Sequence, residues 1–376
     1  MTEPAAEPPQ RSQGRNDAVT RWLWRAVEMV VALLGMLLVF DLIAFAFGQA
    51  PLSTLRRAAE GSWGTPYGVG QLLFKATPLI FTGLAFDVAL RAGLFNIGTE
   101  GQLGAASLVA ALCAAHLPAW LPWPLGVVVA LTVAAATGAL VALPPALMRA
   151  RLGVHEIISG IMMNRIVEVL LPWVLGAVLV SATLRTPDIV PSAAMPRIEQ
   201  MHGSAVSLAF VLAVATAFGV HWALVKSRVG REMRWVGLGP DACRAEGVDV
   251  PRRVLGAMLL SGAVAALAMS GTVLGYKGYY ELGLGAGTGF SGIVVAMLGR
   301  GSPLGIVIAA VLLGTLEQAG FAINARVPKE AMDVVEAVAI VLVAIAYRQA
   351  GAARQGATPA PRQDAAPAGP PGEAAS

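Results

Sequence analysis

Residues 125–148, LGVVVALTVAAATGALVALPPALM, carry no charged side chain. As a helix rising about 1.5 Å per residue this run would reach about 36 Å, enough to cross a hydrocarbon core of about 30 Å. It is apolar on every side, whereas a helix on the surface of a soluble protein keeps one polar face. Working outward, similar apolar stretches recur at 27–47, 69–90, 97–117, 157–182, 205–225, 254–275, 288–299, 303–322 and 333–347. The sequence therefore predicts an all-α, polytopic transmembrane helical bundle of about ten membrane segments. The 288–299 segment is short and ends at Gly299-Arg300-Gly301, which predicts a broken or re-entrant element. Asn164, Arg165 and Glu168 interrupt the 157–182 segment. Such breaks are tolerated at membrane depth only where protein or water shields the backbone.

Composition agrees. Hydrophobic residues make up 56% of the 376 and charged residues only 13%, against about 25% charged in soluble domains. Mean hydropathy is +0.67. These values exclude a water-soluble enzyme, a disordered chain and an ordinary nucleic-acid module. The net charge of +4 is not a nucleic-acid footprint, because the basic residues follow membrane topology. With the N-terminus inside, 18 of the 27 Lys and Arg fall in inside segments and 7 outside, with Lys75 and Arg165 within spans. Positive charge is retained on the cytoplasmic side, so both termini are expected in the cytoplasm of a multi-pass inner-membrane (plasma-membrane) protein embedded in the lipid bilayer.

Three regions follow. Residues 1–20 and 349–376, rich in Pro, Ala, Gln and Arg, read as disordered cytoplasmic tails. Residues 21–348 form the membrane domain. Within it, 226–253 is the one large inside loop, where a helical pattern with Met233, Val236 and Leu238 toward one side is broken by Gly237, Gly239 and Pro240. A short helix, a turn and a second short helix fit this stretch. The polar, Pro-rich first 20 residues predict no cleavable signal peptide. Cys113 and Cys243 lie in unrelated settings and give neither a disulfide framework nor metal-ligand spacing.

Several chemistries find no support. A phosphate-binding loop needs Gly immediately before its Lys, and none of Lys75, Lys226, Lys277 or Lys329 has it. The chain is not expected to hydrolyse ATP, so work must come from a partner or an ion gradient. His155-Glu156 begins like a zinc-protease motif but has Ser159 where the second histidine belongs. No metal or cofactor is expected on this chain, and Glu156 reads better as an acid at a helix N-terminus.

The polar residues within apolar segments are the candidate site, because ionisable groups at depth face a cavity or a partner. Phe95-Asn96-Ile97-Gly98-Thr99-Glu100-Gly101-Gln102 places hydrogen-bonding groups where a helix begins. One reading lines the inner mouth of a path with Phe95, Asn96, Glu100 and Gln102. The other is a helix-packing corner with Glu100 tied to Arg91 or to a backbone amide. Asn164 either lines the path or makes an interhelical hydrogen bond. Asp87 with Arg91, and Arg165 with Glu168, have the spacing of pairs along one helix. Glu317 is expected to serve packing or a partner. Tyr276, Tyr279 and Tyr280 read as an outer-interface belt or a contact for a partner outside, with a stacking surface, shared with Phe95 and Phe290, as the less favoured role.

Three stretches together resemble a known family: Arg91-Ala-Gly-Leu-Phe-Asn-Ile-Gly-Thr-Glu-Gly-Gln102, the loop from Gly230 to Ala242 with Gly247-Val-Asp-Val250, and Gly289-Phe-Ser-Gly-Ile-Val-Val-Ala-Met-Leu-Gly-Arg-Gly-Ser-Pro-Leu-Gly305. They resemble the permease subunits of ABC importers of the branched-chain amino acid and simple-sugar type, and within these the nucleoside-type permeases. The resemblance covers about residues 65–347. It implies an importer of nucleosides or, second, of simple sugars, in which two permease subunits, often different, form the pore. It also implies a separate ABC ATPase subunit that binds the ATP and Mg, and an extracytoplasmic substrate-binding protein. The 226–253 loop would be the segment that couples to the ATPase, through Gly230, Glu232, Arg234, Gly237, Pro240 and Asp241. Family members usually carry Asn before this proline and Ala-Ala after it, where this chain has Gly239 before and Asp241-Ala242-Cys243-Arg244 after. The rival class is a self-sufficient secondary transporter or channel, which can also use broken helices but has no need of an ATPase dock.

Overall fold

The computed structural model describes residues 34, 35, 38–118, 120–299, 301–328, 330, 331, 333–335, 337, 338 and 341. Both tails and most of the 333–347 segment lie outside the described residues, as does the first part of 27–47. The unit Leu38–Val338 is described below. It is almost wholly helical, and among the described residues its only β contacts are two isolated bridges, Arg185 with Glu281 and Arg197 with Ser207.

Leu38–Ala46 (α1) and Pro51–Trp63 (α2) meet at a bend of 109°. They are followed by α3 (Pro66–Arg91), α4 (Thr99–Ala115), α5 (Leu125–Leu152) and α6 (Glu156–Trp173), which runs on through a π-helical turn, Val174–Val178. Next come α7 (Ala209–Lys226), the short α8 (Arg228–Leu238) and α9 (Pro240–Ala245), and α10 (Val250–Ala266), which is prolonged by a π-helical stretch, Ser270–Lys277. The last two are α11 (Thr288–Gly299) and α12 (Pro303–Ile323).

Among the described residues six helical elements are long and apolar enough to cross a membrane, or seven if the bent α1–α2 pair is one span. These six correspond to the apolar runs read from the sequence at 69–90, 125–148, 157–182, 205–225, 254–275 and 303–322. The 97–117 and 288–299 runs form shorter helices of 17 and 12 residues.

The bundle is built around α3, which packs against α7, α10, α11 and α12. Its apolar window is 83% buried, whereas that of α6 is only 17% buried. Helix α5 lies along α10, and glycine permits the approach: a Cβ on Gly138 would come 2.2 Å from the Gly262 carbonyl oxygen. Without a hydrophobic drive between helices in lipid, small residues at a crossing set how closely backbones pack.

Candidate functional site

The breaks between helices converge on polar side chains. Segment 92–98 leaves the end of α3 and delivers Asn96 to a position with no solvent exposure. Asn96 Nδ2 donates to Gln102 Oε1 at 2.9 Å and to Ser261 Oγ at 2.8 Å, while Gln102 Nε2 donates back to Asn96 Oδ1 at 3.0 Å. Asn96 Oδ1 also accepts from the Gly98 amide at 3.1 Å. Ser261 Oγ in turn donates to the Ala85 carbonyl at 2.6 Å. Three elements, α3, α4 and α10, are thus joined through one closed network. Ser261 lies about 16 Å along the α10 axis from Val250, near the middle of the 28-residue span Val250–Lys277.

Asn164 of α6 ties into the same corner. Its Oδ1 accepts from the Gly101 amide at 2.9 Å and its Nδ2 donates to the Ile97 carbonyl at 2.8 Å. The first turn of α4 leaves orphan amide donors, and this side chain serves one of them from a neighbouring helix. Of the two roles open to Asn164, the geometry displays the interhelical hydrogen bond.

Glu100 reaches in another direction. Its carboxylate accepts from the Gly287 amide at 2.6 Å and the Gly289 amide at 2.8 Å, so it holds the first amides of α11. Thr99 Oγ1 donates to the Gly289 carbonyl at 3.1 Å. The acid is tied to backbone amides rather than to Arg91. Arg91 instead pairs with Asp87 at 2.7 Å and donates to the Gly301 carbonyl. Phe95 is the open member of the 95–102 stretch, 43% exposed, with its ring edge against Phe86. Its amide donates to Glu156 at 3.1 Å, and Glu156 also faces Arg149 at 3.3 Å.

The 226–253 loop folds as the helix, turn and helix read from its sequence. Ser227 caps α8 by accepting from the Gly230 amide at 2.9 Å. Met233 and Val236 are buried in a cluster with Val88, Leu94, Leu224 and Met258. Leu238 does not join them as its position in the pattern suggested. It is 87% exposed, on the side of α8 away from Met233 and Val236, and with Trp235 it borders an open groove of about 800 Å³ that Arg228, Arg231 and Glu246 also line. Pro240 opens α9, and Asp241 in its first turn pairs with Arg244.

Glu232 anchors this hairpin. Its buried carboxylate accepts from Arg228 at 2.8 Å and faces Arg253 of α10 at 2.7 Å. The Arg228 hydrogen bond, followed by the Arg253 charge, holds Glu232 below the usual glutamate range. Arg234, two residues on in α8, is half-buried, its Nε without a hydrogen-bond partner among the described residues. Gly237 touches the end of α3: a Cβ there would lie 2.3 Å from the Arg91 carbonyl oxygen and 2.7 Å from the Gly93 amide nitrogen.

Two further sequence readings are resolved. Glu317 pairs with Lys75 at 3.1 Å, and the Lys75 ammonium lies 3.7 Å from the centre of the Phe321 ring, which fastens α12 to α3. Tyr280 is not part of an exposed belt. It is buried, its amide donating to Thr186 Oγ1 at 3.0 Å, while Tyr276 is the exposed ring of the three. Ser261, Arg253 and the Gly287 and Gly289 amides were missed from the sequence. A serine in an apolar run and glycines before a helix carry no local sign of what they bind.

A multi-pass membrane protein whose polar groups gather where helices break, with a structured helical hairpin between two spans, has the architecture of a transport subunit. Comparison with known proteins makes the class specific. Residues 68–344 match the family described as "Branched-chain amino acid transport system / permease component", and the chain belongs to that family. It is 36% identical to the guanosine ABC transporter permease protein NupP of Bacillus subtilis, over 85% of this chain and 93% of that one. It is 29% identical to the nucleoside ABC transporter permease protein NupB of Lactococcus lactis, over 85% and 91%. It is also 28% identical to the glucose ABC transporter permease protein TsgB13 of Haloferax volcanii, over 80% and 84%.

Proposed function

We propose that this permease imports nucleosides across the inner membrane as one half of a pore, beside a second, different permease subunit. The likeness to a guanosine permease at 36% identity over most of both chains carries this reading. The glucose permease is the more distant likeness, which makes a simple sugar the second candidate. In this reading an extracytoplasmic binding protein delivers the solute, and a separate ATPase binds ATP and Mg and performs the hydrolysis. This chain holds no nucleotide. Both termini are cytoplasmic and about ten segments lie in the membrane, with α11 a partial crossing. The 18 inside against 7 outside basic residues support that orientation.

The ATPase docks on the α8–α9 hairpin, where exposed Trp235 and Leu238 border the groove. Displacement of α8 acts through Gly237 on the Arg91–Gly93 backbone, and from there on Phe95 and Asn96. The corner formed by Phe95, Asn96, Glu100, Gln102 and Asn164 flanks the path. Phe95 and Glu100 present surface to the solute, and the three amide side chains hold the corner in register.

The test is uptake by the assembled complex in proteoliposomes with radiolabelled guanosine and glucose. ATP-dependent guanosine accumulation supports the assignment. Accumulation of glucose alone replaces the nucleoside with the sugar.

A further inference from the structure

Arg165 and Glu168 form an ion pair at 2.6 Å, yet their side chains are 75% and 63% exposed. Arg165 lies about 14 Å along the axis from Glu156, close to the midpoint of the 23-residue span Glu156–Val178. Apart from this one hydrogen bond, the guanidinium donors have no partner among the described residues. The flank of α6 toward α4 is satisfied: Asn164 and Val167 are buried against it. The pair therefore points away from the body of the bundle at mid-depth. Charged groups do not face hydrocarbon there. They turn to a water-filled cavity or to protein.

A second observation selects water. Gly101 of α4 packs on the residues just before Glu168, a Cβ there lying 2.9 Å from Asn164 Oδ1 and 3.5 Å from Val167, and its neighbour Glu100 holds the exposed Gly287 amide. Next to that amide, Phe290 of α11 is 47% exposed. Polar groups and an aromatic ring from α4, α6 and the start of α11 thus open on neighbouring parts of one surface. A dry contact with another helix would leave several arginine donors unmatched, whereas water and a polar uncharged solute can satisfy them.

We infer that the Arg165–Glu168 face of α6 is a wall of the aqueous translocation path, with Arg165 offering hydrogen-bond donors to the passing solute. The inference rests on the permease reading above and adds to it a face that the family assignment does not specify.

The experiment leaves the pair intact. In a complex carrying Cys113→Ala and Cys243→Ala, single cysteines are placed at Ile161 and Val169, exposed residues four positions before and after Arg165. A third is placed at Asp188, a surface control. Each is treated with a charged, membrane-impermeant methanethiosulfonate in proteoliposomes. Labelling of Ile161→Cys and Val169→Cys, slowed several-fold by excess guanosine, is expected. Full labelling of Asp188→Cys with none at the other two overturns the inference, whether lipid or a second protein covers the face. Labelling that excess solute leaves unchanged also overturns it. Uptake by the wild-type complex is measured in parallel, so failure of the permease reading appears as absent transport and is distinguished from failure of this assignment.

Discussion

Gly237 and Arg91 are in backbone contact: a Cβ on Gly237 would stand 2.3 Å from the Arg91 carbonyl oxygen. Arg91 ends α3, the most buried helix of the bundle, and the chain runs from it directly into Phe95 and Asn96. The α8–α9 hairpin therefore meets the membrane domain at the root of the polar corner. Gly237→Ala forces the two backbones apart, and overpacking of this kind typically costs about 1–3 kcal/mol. The expected outcome is normal insertion with uptake reduced relative to ATP hydrolysed, read as the ratio of the two rates. An unchanged ratio would remove the hairpin from the coupling route.

Glu232 joins α8 to α10 through Arg228 and Arg253. Its carboxyl is more acidic in the fold than in the unfolded chain. Stability from the charged form is therefore complete above the ordinary glutamate value of 4.5 and is lost as pH falls through the lower folded value. Glu232→Gln should loosen the hairpin at neutral pH, seen as faster proteolysis between Arg228 and Arg253. Wild type should show that loosening only when acidified below 4.5.

Asn164 serves one donor and one acceptor of the 97–101 backbone. Asn164→Ala leaves both buried and unsatisfied, a loss of about 1–3 kcal/mol. Thermal unfolding in detergent should show a clear drop in midpoint. Asn164→Asp, which keeps only the acceptor, should not restore it.

Glu100 gathers the Gly287 and Gly289 amides. Glu100→Ala should free the start of α11, giving faster amide hydrogen exchange over 283–292 while exchange in α5 stays unchanged. Glu100→Gln, which still has one acceptor oxygen, should fall between the two.

The positive-inside pattern makes a topological statement that reporters can check. A fusion after Arg253 should report the cytoplasm, and an insertion near Arg197 the outside. The reverse pattern would invert the bundle.

Much of this was legible in the sequence because lipid imposes coarse rules. The uncharged run 125–148 had to be a spanning helix, and it is α5, Leu125–Leu152. The Gly237-Gly239-Pro240 punctuation gave the break between α8 and α9, and spacing alone gave the Asp87–Arg91 and Arg165–Glu168 pairs. What failed depended on contacts distant in sequence. Leu238 is the exception: two residues past Val236 it stands about 200° round α8, so it faces away from the buried Met233 and Val236. Tyr280 has the composition of an interfacial belt, yet its backbone bonds with Thr186 turn it inward. Ser261 looks like any small residue of an apolar run until Asn96 is brought to it across 165 positions. The candidate site was therefore half visible, its polar residues but not their partners.

The decisive measurement is guanosine accumulation in proteoliposomes containing this permease with its ATPase and companion permease, compared with liposomes lacking the ATPase. ATP-dependent accumulation that disappears when the ATPase is omitted is the expected result. Equal accumulation without it would contradict the account and make the protein a self-sufficient carrier.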